Sequence, residues 1–175
     1  MQTASPISVL RHIHIFTGLN DEVLGCLAQQ CRESRCEPGE TIVEQNAMGR
    51  EMYLIGSGRV RIVSDRFSAK ETVLAELGPG DFFGEMSMIE CRRRSATAVA
   101  VEPSVLYALS NTDIYRLFKE WPEQFSILIL NVARDLCRRL RTMNELFVEM
   151  RPTRQRWRFA LSAAGRTRRQ RAVRG

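Results

Sequence analysis

Residues 83–98 read FGEMSMIECRRRSATA. A Gly84-Glu85 pair opens the stretch, and Arg92, Arg93 and Arg94 run straight into Ser95-Ala96-Thr97. A short helical turn over residues 86–90 would leave its first amide groups unpaired. Unpaired N–H groups and the helix dipole together favour a negative charge. Gly84 allows a backbone to approach a ligand closely. The Glu85 carboxylate would repel a phosphate but suits a hydroxyl donor such as a ribose 2′-OH. An arginine returning nine positions later supplies the countercharge. The stretch therefore suggests one anion, one hydroxyl-bearing ring and one inward-pointing arginine. The alternative is a solvated turn between two elements, and the flanking sequence decides between them.

On either side the punctuation is that of short strands. TIVEQ, EMYLIGSG, RVRIVS, TVLAELG, SATAVAV and VLYALS follow one another between residues 41 and 110, separated by Gly, Pro, Asn, Asp or Lys. Such close spacing predicts an antiparallel barrel or jelly roll rather than βαβ units. Residues 7–31 read as helical, with Leu10, Ile13, Phe16, Leu19, Val23, Leu24 and Leu27 at helical spacings and a second helix start at Asn20-Asp21-Glu22. Pro38-Gly39 breaks that pattern. Asn111-Thr112-Asp113 offers an N-cap to IYRLFKEW, and Pro122 suits the first turn of a long helix over 122–149. On that helix Phe125, Ile129, Val132, Leu136, Leu140, Met143 and Phe147 recur by threes and fours, forming a stripe that packs on the barrel or on a twin of itself. The expected class is α+β, an antiparallel β jelly-roll barrel flanked by N-terminal helices and a long C-terminal helix. Its expected parts are a helical segment 1–37, a β-roll 38–110 holding the cassette 83–97, helices over 111–150 and a basic tail 151–175.

At 175 residues, 44% of them hydrophobic, the chain suits one domain. No apolar run reaches the roughly 18 residues of a spanning helix. The start, MQTASPISVLRHIHIF, lacks a basic n-region and a long apolar core, so no secretory signal is expected. Five cysteines without a C-x-x-C pair read as reduced thiols, and the expected location is cytoplasmic. His12-x-His14 lacks further histidines, so no metal site is expected. No catalytic set of nucleophile and base stands out, and an enzyme is not expected. The formal charge of +6 is unevenly placed. Nine of the 26 Lys and Arg lie in residues 151–175, which contain no acid, leaving 17 bases against 20 acids in residues 1–150. A nucleic-acid argument therefore concerns the tail alone.

F-G-E-x-S-x-I followed by R-S-A-T resembles the phosphate-binding cassette of the cyclic nucleotide-binding domain family, of the catabolite activator and kinase regulatory subunit type. IFTGLNDEVLGCLA is similar to the family's helical entry, EQNAMGREMYLIGSGRVRI to its second and third strands, and LGPGDFFGE to the approach to the cassette. The resemblance covers about residues 8–147. It implies that Arg94 pairs with the cyclic phosphate, that backbone amides around Ser87 and Ser95 complete that site, and that Glu85 with Gly84 holds the ribose. Met86, Arg134, Arg138 and Thr142 are the candidates for contact with the base. Arg92 and Arg93 are expected to face water. Two departures stand out: Cys91-Arg92-Arg93 replaces the Gly-x-Pro that many members carry before the arginine, and Asn46 replaces a turn glycine.

The implied function is a sensor for a cyclic nucleotide, cAMP rather than cGMP, coupling ligand binding to movement of the C-terminal helix, with no cofactor beyond that ligand. The implied partner is a second copy through helix 122–149. Beyond the resemblance, Arg154, Arg156, Trp157, Arg158 and Phe159 of the tail suit nucleic acid or an anionic surface by charge and stacking, the alternative being a solvated, disordered tail. The other readings are a transcription regulator of the catabolite activator type, truncated or using its tail, and a degenerate interaction module that binds no nucleotide.

Overall fold

The structure is a computed structural model that describes residues 5–149. The tail expectations at 151–175 lie outside the described residues. Helix α1 (Pro6–His12) starts with proline, whose missing N–H is no loss in a first turn. A 3-10 turn at His14–Phe16 leads to α2 (Asp21–Gln30). Asn20 caps α2, its side-chain oxygen accepting from Val23 N–H at 2.8 Å, while Asp21 and Glu22 sit at the positive end of the dipole.

Eight strands follow: β1 (Arg32–Cys36), β2 (Thr41–Val43), β3 (Glu51–Ser57), β4 (Val60–Ser64), β5 (Thr72–Leu77), β6 (Phe82–Phe83), β7 (Thr97–Ala100) and β8 (Ser104–Ser110). Helix α3 (Glu85–Glu90) lies between β6 and β7, and α4 (Asn111–Glu120) and α5 (Pro122–Glu149) complete the order. All strand pairs are antiparallel and make two four-stranded sheets, β1-β8-β3-β6 and β2-β7-β4-β5. The expected barrel is thus a pair of sheets in the pairing order of a double-sheet jelly roll. Between them lie Ile55, Phe83 and Leu106 from one sheet and Val60, Ala98 and Ala100 from the other. Alternation along each strand brings these apolar side chains to one side.

Two assignments change and one strand is added. Residues 32–36 were expected within a helical segment, yet they form β1, paired from Arg32↔Ala108 to Cys36↔Ser104. RESRC carries no strand signature because only Cys36 is buried; its conformation comes from the backbone edge that β8 offers. Strand β6, two residues long, is held by Tyr53 and Leu54 of β3 and is too short for any periodicity to reveal. The cap of α4 is Ser110 rather than Asn111. Its hydroxyl accepts from Asp113 N–H, and the Asp113 carboxylate accepts from Ser110 N–H at 2.8 Å, a reciprocal capping box.

The chain divides into two compact units after Arg134. In the first, α4 touches β8 and α2, and Leu128 and Val132 of α5 are buried. Asn131 fastens α5 by donating from Nδ2 to the carbonyls of Ile15 and Thr17 at 3.0 and 2.8 Å. In the second, Leu140, Met143, Leu146 and Phe147 are exposed, and Asp135 pairs with Arg138 and Arg139. Among the described residues, no helix is long and apolar enough to cross a membrane.

Candidate functional site

Two left-handed residues frame α3. Gly84 precedes it at φ 85°, and Cys91 ends it at φ 52°. Gly84 cannot be replaced without displacement, because a Cβ there would lie 2.6 Å from Arg94 Nη1 and 3.0 Å from the Glu51 carbonyl. After Cys91 the chain is caught by the turn at 46–48. Arg93 forms an isolated bridge with Met48, Arg94 N–H donates to the Ala47 carbonyl at 2.8 Å, and Asn46 N–H donates to the Arg94 carbonyl at 2.9 Å. Asn46 makes that turn at φ 68°, a conformation asparagine tolerates.

This backbone clamp sends one arginine of the three inward. Arg94 is 5% exposed, whereas Arg92 and Arg93 are exposed. Its Nη1 donates to the carbonyls of Glu51 at 2.7 Å and Gly84 at 3.0 Å. The guanidinium lies 5.7 Å from the centre of the Tyr53 ring, which is itself stacked on Phe83 at 5.1 Å. Gly49 closes the other side, where a Cβ would lie 2.6 Å from Arg94 Nε and 2.7 Å from Ser87 Cβ. Burial pushes the Arg94 pKa below its ordinary value, and Tyr53, Glu51 and Glu85 oppose that shift. An arginine starts so high that it stays charged in such a place.

Arg94 forms part of the wall of a cavity of about 510 Å³, together with Thr41, Glu44, Arg50, Glu51 and Tyr53. A fixed, desolvated cation at a cavity wall, held by carbonyls rather than consumed in them, is an arrangement that binds an anion. Of the residues singled out in the sequence, Arg94 alone lines this cavity. Gly84, Glu85 and Ser87 lie beside it in α3 or at its start, the latter two 3% and 4% exposed. Ser95 and Met86 are exposed instead. Arg134 is exposed and donates to Asn131 Oδ1 at 3.2 Å. Arg138 and Thr142, also exposed, belong to the second unit, where Arg138 pairs with Asp135.

The sequence reading missed Glu51, Arg50, Thr41 and Glu44, and it gave Tyr53 no role. One signal was available: Glu51 and Tyr53 are two apart on a strand and so share a face. A second cavity, of about 380 Å³ and strongly apolar, is lined by Met88 and Ile89 of α3, Ile114, Tyr115 and Phe118 of α4, and Phe125 and Ile129 of α5.

The model of the cyclic nucleotide-binding domain matches residues 33–120, and the chain belongs to that family. It is 37% identical over 127 residues to the cyclic AMP receptor protein of Thermus thermophilus, covering 73% of this chain and 57% of that protein. It is 28% identical over 123 residues to the cAMP-dependent protein kinase regulatory subunit of Yarrowia lipolytica, covering 70% of this chain and 32% of that one. The crystal structure of the Thermus thermophilus catabolite activator protein superposes with a TM-score of 0.67 at 36% identity, over 77% of this chain and 62% of that one. The chain therefore spans a little over half the length of the first relative and about a third of the second.

Proposed function

We propose that this chain is a regulatory module that binds a cyclic nucleotide in the Arg94 cavity, cAMP in preference to cGMP. The observation that carries the reading is Arg94 itself, buried, charged and held by two carbonyls at the wall of a cavity large enough for a nucleotide. Arg94 pairs with the cyclic phosphate, aided by backbone amides near Ser87 and Ser95. The Glu85 carboxylate and the Gly84 backbone accept the ribose 2′-OH. The preference for cAMP is supported by similarity to a cyclic AMP receptor protein and to a cAMP-dependent protein kinase regulatory subunit.

The output is a change in the position of α5, whose two positions bind the nucleotide unequally; without differential affinity a ligand shifts nothing. The residues of α3 and α5 that share the apolar cavity support such a link, since Met88 and Ile89 follow the anion-binding segment directly. A second copy is the proposed partner of α5, supported by the exposed Leu140, Met143 and Phe147 at coiled-coil spacing. Transcription regulation is the second reading, supported by identity to a receptor protein of the catabolite activator type.

Isothermal titration with cAMP and cGMP tests the reading. Micromolar or tighter binding, lost in Arg94→Ala, supports it, and the same data rank the bases. A folded wild-type chain that takes up neither nucleotide sinks it and leaves an interaction module.

A further inference from the structure

Glu51 brings a negative charge to the wall of a cavity built for an anion. Its backbone belongs to the site, since its carbonyl accepts from Arg94 at 2.7 Å. Both oxygens of its carboxylate have partners other than Arg94. Oε2 accepts from the Tyr53 hydroxyl at 3.0 Å, and Oε1 pairs with Arg32 Nη2 at 2.7 Å. Arg32 stands on β1, the outer strand of its sheet, and is not part of the cavity wall. In register, Arg32 lies opposite Ala108 of β8, and Ala108 lies opposite Tyr53 of β3. The ion pair thus reaches across β8 to a carboxylate on β3. The charge of Glu51 is felt at Arg94, where it counters the effect of burial. A carboxylate in such a wall opposes the entry of an anion, and the opposition depends on how well its own charge is paired.

We propose that Arg32, from outside the cavity, sets the cavity's affinity for its anionic ligand by keeping the Glu51 carboxylate paired. This rests on the reading of Arg94 as the anion-binding residue. Arg32 is a positioning residue that never touches the ligand. Without it, Glu51 keeps only the Tyr53 hydroxyl, and the cations remaining at the cavity wall are Arg94 and Arg50, the ones an incoming anion needs. The freed carboxylate then repels the ligand and competes with it for Arg94. Either route weakens binding.

The test is a double-mutant cycle on the full chain, titrating cAMP into wild type, Arg32→Ala, Glu51→Gln and the double variant. The Arg32 side chain is 67% exposed and Glu51→Gln is isosteric, so all four chains are expected to fold. Arg32→Ala weakens cAMP binding by about three- to fivefold, the range for a partly exposed pair. Glu51→Gln binds at least as tightly as wild type. In the Glu51→Gln background the Arg32 substitution has no further effect, and Arg32→Lys restores most of the wild-type affinity. The Arg32 effect also shrinks at high salt. An equal loss in both backgrounds would mark Arg32 as a mere strap between strands and overturn the proposal, as would weaker binding by Glu51→Gln. A wild-type chain that binds no cyclic nucleotide overturns the reading of the site, and this inference with it. The two failures are therefore told apart by the wild-type titration alone.

Discussion

Arg94 is the side chain on which the site depends, and its neighbours show how little freedom it has. Truncation to alanine removes the countercharge and takes the Arg94 donor from the carbonyls of Glu51 and Gly84, the latter keeping the Met88 N–H. Uncoupling a buried charge pair costs roughly 3–5 kcal/mol, so Arg94→Ala is expected to lower cyclic-nucleotide affinity on the order of 100-fold or more. Calorimetric titration, with circular dichroism as the check on folding, measures it. Gly49→Ala probes the same place from the other side. Its new methyl group must displace the Arg94 stem or Ser87, so we expect about 1–3 kcal/mol lost in urea denaturation, together with weaker ligand binding. At Cys31, burial first and Asp113 second push the thiol up from 9.0 to about 12. A raised folded-state pKa means that the protonated thiol stabilises the fold. That contribution is complete below about pH 9 and is lost as pH climbs toward 12. Urea midpoints should fall more steeply between pH 9 and 10.5 in wild type than in Cys31→Ala, and equal slopes would refute the assignment.

At the scale of elements, the helix starts are local events and the strands are not. The Asn20 start of α2 and the proline entry to α5 are written in neighbouring residues and were readable there. The cap of α4 was misplaced by one residue because Ser110, Asn111 and Asp113 are all cap-forming types. Only the pairing of the Ser110 hydroxyl with Asp113 N–H separates them. Ser110→Ala is expected to destabilise the chain by about 1 kcal/mol in chemical denaturation, while Asn111→Ala should change little. Strand β1 could not be found in the same way. Its five residues alternate in no useful manner, and their pairing partners lie 68 to 76 positions away in sequence.

For the molecule as a whole, the question is what covers the outer part of α5. Leu140 is 58% exposed and Met143 66%, in a unit of the chain that begins at Asp135. An apolar stripe of that period is the seam of a helix pair. Sedimentation analysis is expected to give a dimer for the wild-type chain and a monomer for the Leu140→Glu, Met143→Glu variant. A wild-type monomer at high concentration would remove the second copy from the proposed partners.

The sequence by itself determined what depends on near neighbours and on the order of residue types. Short strands punctuated by turns pointed to an antiparallel barrel or jelly roll, three- and four-residue spacing pointed to α5, and the cassette order pointed to one inward arginine. The bonds and spacings that carry those signals lie within a few residues of one another. Only the tertiary structure decided which groups share the cavity. Arg94 meets Glu51, Tyr53 and Gly49 because the turn at 46–48 captures its backbone. Arg32 reaches Glu51 only because β8 runs between their strands. Those contacts are fixed by strand pairing, and pairing joins backbone groups whose geometry is the same whatever side chains they carry.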